Sequence, residues 1–152
     1  MRTAFINQLI KEAERHPEIV LLTGDLGYSV VEPFRDRFPD RFYNVGIAEQ
    51  AMAGIAAGLA REGLNVYIYS IGNFPTLRCM EQLRLDVAYH RLSVKVVAVG
   101  AGYAYGAMGA SHHATEDVAM MRALPDCVVA VPGDPVEAAA VTALSASHPG
   151  MM

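Results

Sequence analysis

The alternation of short apolar runs with longer segments of helical spacing constrains the fold of this chain more than any other feature. The run IVLLT, for example, follows a segment that places Phe5, Leu9 and Ala13 at helical spacing. The pattern predicts strands at 19–23, 42–45, 64–70, 94–99 and 127–131, and helices at 3–15, 30–38, 47–62, 76–90, 115–123 and 135–145. Thr115 and Asp134 are the predicted N-caps of the last two helices. Strands rich in Val, Ile and Leu that alternate with helices are typical of a parallel sheet. We therefore predict an α/β fold: a doubly wound, mostly parallel sheet with helices on both faces.

Composition excludes several classes of function. The 152 residues fit one domain, which we place at 1–146 with a C-terminal tail at 147–152. The 12 Lys and Arg against 16 Asp and Glu leave no basic excess for binding nucleic acid. The longest uncharged stretches, 63–77 and 96–111, are shorter than the roughly 20 residues that span a membrane. Because hydrophobic residues make up 53% of the chain, we expect a partner to bury part of its surface.

The start of the chain and its cysteines indicate the compartment. Arg2, Lys11 and Glu12 interrupt the first turns, so the sequence does not open with a secretory signal. Cys79 and Cys127 form no CxxC motif and fit a reducing environment. We therefore expect a cytoplasmic protein.

Loops at the carboxyl ends of parallel strands are where such folds bind ligands. Here those loops are 24–29, 46–49 and 100–113. In the third loop Tyr105 stands where the dinucleotide fingerprint GxGxxG needs its last glycine, and the sequence has no GxxxxGK[ST] phosphate loop. The chain therefore has no recognisable cradle for a diphosphate. His112, in the same loop, is better suited to proton transfer or ligand orientation than to metal binding.

Glu49 is the only charged side chain between Gly46 and Ala60. Composition alone favours a carboxylate that caps a helix at the surface, where the helix dipole stabilises it. The alternative is a carboxylate aimed into a cleft, which needs a partner because burying it alone costs several kcal/mol. Gly54 and Gly58 lie in the same predicted helix. Close packing on the chain's own sheet and packing against another subunit explain these two glycines equally well.

Five motifs lie in order along nearly the whole chain. They are GDLGYS (24–29), NVGIAEQ with AAGLA (44–60), RCMEQLR (78–84), GASHHATED (109–117) and ALPDCVVAVPGDPVE (123–137). In this order and spacing they resemble the central region of transketolases and deoxyxylulose-phosphate synthases. The resemblance identifies the chain as similar to the pyrimidine-binding domain of enzymes that depend on thiamine diphosphate.

The resemblance implies roles for individual residues at a cofactor site. Glu49 matches the family glutamate that hydrogen-bonds the aminopyrimidine of thiamine diphosphate and so favours the imino tautomer that deprotonates the thiazolium. Phe74, which residue type alone also allows as a core aromatic, is implied as the ring that stacks on the pyrimidine. Asp25 and Arg78 are implied as further cofactor-binding residues. His112 matches a catalytic histidine near the cofactor amino group and the substrate.

Other positions bear on the substrate. Arg2 and Ser29 match residues that grip a sugar phosphate in transketolases, and an arginine and a hydroxyl are apt phosphate donors. The acidic residue that the family carries before the motif at 109–117 is missing, since Ala107 and Met108 stand there. A family histidine upstream in the loop is replaced by Gly100. These departures favour a substrate other than an ordinary pentose or hexose phosphate.

The resemblance also implies partners. The family's diphosphate-binding domain lies outside these 152 residues. We therefore expect a diphosphate-binding transketolase N-terminal subunit to supply the Mg or Ca ligands, with none on this chain, in a homo- or hetero-oligomer. The expected function is that of a transferase component in carbohydrate metabolism, which moves a ketol unit between sugars or sugar phosphates and is inactive without its partner. The alternatives are a deoxyxylulose-phosphate-synthase-like or 2-oxoacid dehydrogenase β-like component, and a non-catalytic assembly or regulatory domain.

Overall fold

The computed structural model describes every residue from Met1 to Met152. At its centre lies one sheet of four parallel strands in the order β2-β1-β3-β4. The strands are β1 (Ile19–Thr23), β2 (Phe42–Asn44), β3 (Asn65–Ile71) and β4 (Val94–Val99). The parallel sheet predicted from the apolar runs is confirmed.

Helices cover both faces of this sheet. They are α1 (Arg2–Arg15), α2 (Glu32–Arg37), α3 (Glu49–Arg61), a continuous helical segment α4 (77–88), α5 (Asp117–Arg122) and α6 (Pro135–Ser147). Strand residues alternate between two apolar clusters, with Val20 and Leu22 packed towards α3 and α4, and Ile19 and Leu21 towards α1, α2 and α6. This alternation gives the predicted helices on both faces. None of the helices is long and apolar enough to cross a membrane.

The predicted strand at 127–131 is wrong, because the last residues of the chain take its place beside β4. The amide of Met152 donates to the Val94 carbonyl at 3.2 Å, and the Val96 amide donates to the Met152 carbonyl at 2.7 Å. The Val128 amide donates instead to Met151, at 3.1 Å. The 127–131 segment is thus separated from β4 by the width of one chain and joins no sheet.

The beginnings of α5 and α6 show which of the predicted N-caps forms. Asp134 caps α6 as predicted, since its carboxylate accepts the amides of Val136 and Glu137, both at 2.8 Å. The predicted cap of α5 is wrong. Thr115 donates its hydroxyl to the neighbouring Glu116 carboxylate at 2.9 Å, and the helix begins two residues later.

Lys95 in β4 is a buried cation on the α1 and α6 side of the sheet. Its ammonium donates to the Ser93 hydroxyl at 3.1 Å and to the carbonyls of His148, at 2.7 Å, and Gly150. Burial lowers the pKa of Lys95 to about 8. Its two carbonyl contacts tie residues 148–150 to β4.

The glycines of α3 face outward. A Cβ added at Gly54 or Gly58 would meet no atom within 4 Å, so neither packs on the chain's own sheet. Ile47 and Ile55 are exposed on the same helix and the turn before it, Ile47 by 79% of its surface. Of the two explanations for these glycines, packing on the sheet is therefore wrong, and α3 presents a smooth apolar face.

Candidate functional site

The candidate site lies at the carboxyl edge of the sheet. Loop 24–29 follows β1, the turn 45–48 follows β2, residues 72–76 follow β3, and loop 100–113 follows β4. Parallel strands bring these four connections to one edge, where ligands bind in such folds. An open cleft of about 280 Å³ at this edge is lined by residues 47–51 and by Arg78.

Glu49 is a buried carboxylate at the centre of this edge. It is the first residue of α3 and only 2% of it is exposed, so its interpretation as a surface cap is wrong. Its Oε1 atom accepts the Ser70 hydroxyl at 3.4 Å and faces Gly24, where an added Cβ would lie 3.4 Å away. The helix dipole favours its negative charge. The Oε2 atom remains directed at the cleft.

Arg78 and Phe74 complete the environment of this carboxylate. The Arg78 Nη1 atom donates to Glu49 Oε2 at 2.8 Å. The same guanidinium lies over the Phe74 ring, 4.3 Å from its centroid. Burial, with the charge of Glu49 adding to it, raises the pKa of Cys79 to about 12, so this neighbouring thiol is protonated. Three of the four predicted cofactor residues, Glu49, Phe74 and Arg78, thus form one connected group.

His112 also contacts the Phe74 ring. The two rings meet edge to face with centroids 5.2 Å apart. Ser111 Oγ lies 3.0 Å from His112 Nδ1, which leaves Nε2 without a protein hydrogen bond. The adjacent His113 turns to other partners, with Nε2 3.3 Å from the Gly106 carbonyl. No group of three or more His, Cys, Asp and Glu side chains is placed to hold a metal ion.

Asp25 lies in the loop after β1, next to Gly24, in the left-handed region with a φ of 57°. Its carboxylate accepts Asn44 Nδ2 at 2.9 Å and the Tyr28 hydroxyl at 3.1 Å. Asn44 Oδ1 in turn accepts the amides of Asp25 and Gly46, both at 3.0 Å. Asn44 therefore ties the loop after β1 to the turn that leads into Glu49. The sequence analysis missed it, although a polar residue at a strand end was the available signal.

Arg2 and Ser29 stand apart from this connected group. The Ser29 amide donates to Glu32 Oε1 at 2.9 Å, and this contact lowers the pKa of Glu32. Arg2 lines an apolar cavity of about 310 Å³ along β4. Burial raises the pKa of Tyr69 to about 12, and the Arg2 guanidinium opposes that rise. No hydrogen bond or ion pair joins Arg2 or Ser29 to Glu49.

Tyr105 is a second residue that the sequence analysis did not assign to the site. Gly100 has a φ of 77°, and a Cβ added there would lie 2.0 Å from the Tyr105 ring. The ring therefore fills the space that any side chain at position 100 would occupy. Its centroid lies 6.3 Å from that of His112. The glycine at the end of β4 was the available signal, since it permits this close approach.

Comparison with known proteins agrees with the geometry. A family model described as the transketolase, pyrimidine binding domain matches residues 1–151. A putative transketolase C-terminal section from Methanocaldococcus jannaschii is 44% identical over 135 residues, 88% of this chain and 43% of that protein. One of the subunits of the apulose-4-phosphate transketolase of Phocaeicola vulgatus is 36% identical over 149 residues, 97% of this chain and 48% of that protein.

Solved structures include a split gene transketolase described as an inactive beta4 tetramer. It matches with a TM-score of 0.88 and 38% identity, over 99% of this chain and 48% of that one. The chain thus spans about half the length of the relatives it matches, 43% and 48% of the two named above. The family model covers nearly every residue, and the same edge of the sheet carries the buried glutamate. The chain belongs to the transketolase family, and residues 1–151 correspond to the pyrimidine-binding domain of that family.

Proposed function

We propose that this chain supplies the pyrimidine-binding half of a thiamine diphosphate site in a split, transketolase-like transferase. One observation carries the proposal. Glu49 is a buried carboxylate whose Oε2 atom accepts a hydrogen bond from a flat N–H donor, the Arg78 guanidinium, and that donor stacks on Phe74. An aminopyrimidine is also a flat ring with N–H groups in its plane. The residues present therefore fit the pyrimidine end of the cofactor.

Each residue of the site has a chemical task in this proposal. When bound, thiamine diphosphate supplies the carbon nucleophile for the transfer of a ketol unit. Glu49 holds a proton at the pyrimidine ring nitrogen, and Phe74 supports the ring from below. Asp25 and Asn44 fix the loop beside Gly24, which keeps the carboxylate of Glu49 in place. His112 Nε2, which has no hydrogen bond within the protein, would hold or move a proton on the substrate.

On the substrate side, we propose a sugar or sugar phosphate. The relative from Phocaeicola vulgatus is named for apulose-4-phosphate, which supports a phosphorylated sugar. Arg2 and Ser29 are the proposed phosphate contacts. Because neither residue has a hydrogen bond or ion pair with Glu49, the distal end of the substrate would bind away from the cofactor ring. The 100–113 loop carries Tyr103 and Tyr105 and no acidic residue, which favours a substrate other than an ordinary pentose or hexose phosphate.

We propose that a diphosphate-binding subunit completes the site and holds Mg or Ca through its own ligands. The apolar face of α3 supports a close subunit contact, since its glycines allow another backbone to approach. Glu49 begins the same helix, so a partner on this face would stand next to the cofactor site. We propose that the assembly is an oligomer and that it works in the cytoplasm.

Replacement of Glu49 by Gln tests the proposed function. In the chain reconstituted with a diphosphate-binding transketolase subunit, we expect ketol transfer to fall by about 10²- to 10⁴-fold, the contribution typical of a proton-transferring group. The matched control is Glu62→Gln, at the exposed end of α3, which should retain full activity. Product mass spectrometry over a panel of sugars would separate ketol transfer from deoxyxylulose-phosphate synthesis and from 2-oxoacid oxidation.

Two outcomes would contradict this function. Full activity in Glu49→Gln would remove the central residue from the proposed chemistry. A stable complex with the partner that binds no thiamine diphosphate and turns over no sugar would favour a non-catalytic assembly or regulatory domain instead. The split gene transketolase is described as inactive in the form of a beta4 tetramer, so the experiment must include both proposed components.

A further inference from the structure

We propose that Arg78 occupies the pyrimidine seat and must leave that seat before a cofactor ring can enter. The pyrimidine seat is the space between the Phe74 ring and Glu49 Oε2. This inference rests on the proposed function, because it concerns how the same site receives its ligand. It gives Arg78 the role of an internal competitor, where the family resemblance implies a cofactor contact.

The geometry of the seat leaves room for one planar group. The Arg78 guanidinium lies 4.3 Å from the Phe74 centroid and donates to Glu49 Oε2 at 2.8 Å. Glu49 Oε1 is turned away, towards Ser70 and Gly24. A ring that stacks on Phe74 and donates to Glu49 therefore needs both of the contacts that Arg78 now makes. Guanidinium and aminopyrimidine are alike in being flat, with in-plane N–H donors and open π faces.

The two partners differ in their freedom to move. Glu49 is 2% exposed and fixed at the start of α3, whereas 45% of the Arg78 side chain is exposed. The backbone of Arg78 is held, since its carbonyl accepts Gln50 Nε2 at 3.1 Å and its amide donates to the Asn73 carbonyl at 3.1 Å. The guanidinium can therefore swing into solvent while Glu49 and the backbone stay in place.

Electrostatics explains why Arg78 occupies the seat. Leaving one member of a buried ion pair without its partner is strongly destabilising. Arg78 keeps Glu49 paired until a ligand N–H replaces it, and it recovers hydration when it leaves. When a pyrimidine replaces Arg78, the site loses one stacking contact with Phe74 and one hydrogen bond to Glu49, and it gains one of each with the ligand. Pyrimidine binding should therefore contribute little net affinity on its own, and the diphosphate end held by the partner should supply most of it.

A titration with matched variants tests the competition. We would measure the dissociation constant of thiamine diphosphate with Mg²⁺ by calorimetry on the chain assembled with its diphosphate-binding subunit. Arg78→Met keeps an unbranched side chain but removes the donor, so we expect binding about tenfold tighter than wild type, the equivalent of about 1.4 kcal/mol. The control Arg84→Met, exposed on the same α4 segment, should leave the constant unchanged.

A spectroscopic measurement makes the test independent of how the variant folds. Because the guanidinium lies over an aromatic ring, the Arg78 Nε–H proton should resonate upfield in the wild-type chain, and Arg78→Lys identifies the signal by its loss. Saturation with 4-amino-2-methylpyrimidine should abolish the upfield shift. The same ligand should compete with Arg78 and therefore bind more tightly to the Arg78→Met chain.

The outcomes separate the two proposals. If wild type binds thiamine diphosphate while Arg78→Met binds it equally or less tightly, the displacement of Arg78 is wrong and the proposed function stands. An upfield Arg78 signal that persists at saturation with the pyrimidine has the same meaning. If the assembled wild type binds no thiamine diphosphate, the proposed function fails and this inference fails with it.

Discussion

The candidate site has two sides, which are built in different ways. The Glu49 side consists of Glu49 and the residues around it, and the loop side consists of residues 100–113. On the Glu49 side, the carboxylate begins a helix, is buried, and is surrounded by the ends of β1, β2 and β3. On the other side, the 100–113 loop consists of short 3-10 turns, closed by local backbone hydrogen bonds and by edge-to-face aromatic pairs. Tyr103 and Met108 in this loop are largely exposed.

This difference teaches which part of the site can vary. A group held by core packing and hydrogen bonds tolerates little change, because any shift propagates into the sheet. A loop of turns and exposed rings can change its shape without disturbing the core. The Glu49 side is therefore suited to a constant task, recognition of a cofactor ring. The 100–113 loop is suited to a task that differs among relatives, the selection of a substrate.

Among the variants compared for stability, Gly100→Ala should lower the free energy of unfolding most. It tests whether Tyr105 shapes the loop side. The new Cβ would lie 2.0 Å from the Tyr105 ring at a φ of 77°. We expect a loss of about 2–4 kcal/mol in the free energy of unfolding, from backbone strain and overpacking together. In the reconstituted enzyme, the KM for the sugar should change while the affinity for cofactor stays constant.

Gly102→Ala is the matched control for that experiment. Its φ is 61°, yet an added Cβ would meet nothing within 4 Å, so this variant carries the strain without the clash. Urea denaturation of both variants should show the smaller loss for Gly102→Ala, about 1 kcal/mol. Equal losses, or an altered cofactor affinity in Gly100→Ala alone, would contradict the division between the two sides.

A second prediction concerns β4, the strand from which the loop departs. Burial lowers the pKa of Lys95 to about 8, so between pH 8 and 10.5 the unfolded chain binds a proton that the folded chain does not. Lys95 therefore makes the free energy of unfolding rise with pH in this window, by at most about 1.4 kcal/mol per pH unit. In Lys95→Met that contribution should vanish.

A comparison of wild type with Lys95→Met separates the effect of Lys95 on stability from the effects of groups with the opposite pH dependence. Burial raises the pKa of Cys79 to about 12, which makes stability fall as the pH rises above 9. That slope is common to wild type and Lys95→Met, so the difference between their denaturation curves reports Lys95 alone. A difference that stays constant from pH 7 to pH 10 would show that Lys95 keeps its ordinary pKa.

The sequence predicted the Glu49 side better than the loop side, for physical reasons. The run 19–23 is buried at every position, so its apolar composition alone marks it as a strand. The isolation of Glu49 among apolar residues, together with the family motif, marked it as unusual. Its partner could not be found in the same way, because the contact with Arg78 joins residues 29 positions apart.

The features that the sequence did not predict correctly also share a cause. The segment 127–131 has the composition of a buried strand, but membership of a sheet depends on which segment reaches the free edge of β4. Met151 and Met152 reach it instead, and nothing local in the sequence indicates this. The packing of Tyr105 on Gly100 is likewise set by the path of the loop. Local pattern predicts elements, and non-local competition decides where they lie.

Asn44→Ala tests the hydrogen bonds of the Glu49 side, with a smaller expected effect. The variant removes three hydrogen bonds that tie loop 24–29 to the turn before Glu49. Since these groups are exposed and water replaces part of the loss, we expect a decrease of about 1–2 kcal/mol in the free energy of unfolding. Cofactor affinity should fall too. Asn73→Ala, which frees the Ser111 carbonyl in the other loop, should leave cofactor affinity closer to wild type.

The smallest effect should be that of Tyr28→Phe, which removes the other donor to Asp25. The Tyr28 hydroxyl donates to Asp25 Oδ1 at 3.1 Å, and this contact raises the pKa of Tyr28. Because 72% of the tyrosine is exposed, water can replace its hydroxyl, and the stability should stay within about 0.5 kcal/mol of wild type. Denaturation of Tyr28→Phe beside Asn44→Ala compares two donors to one carboxylate. A loss as large as that of Asn44→Ala would mean that the loop is held by its own tyrosine, and the Glu49 side would then depend less on β2 than its hydrogen bonds indicate.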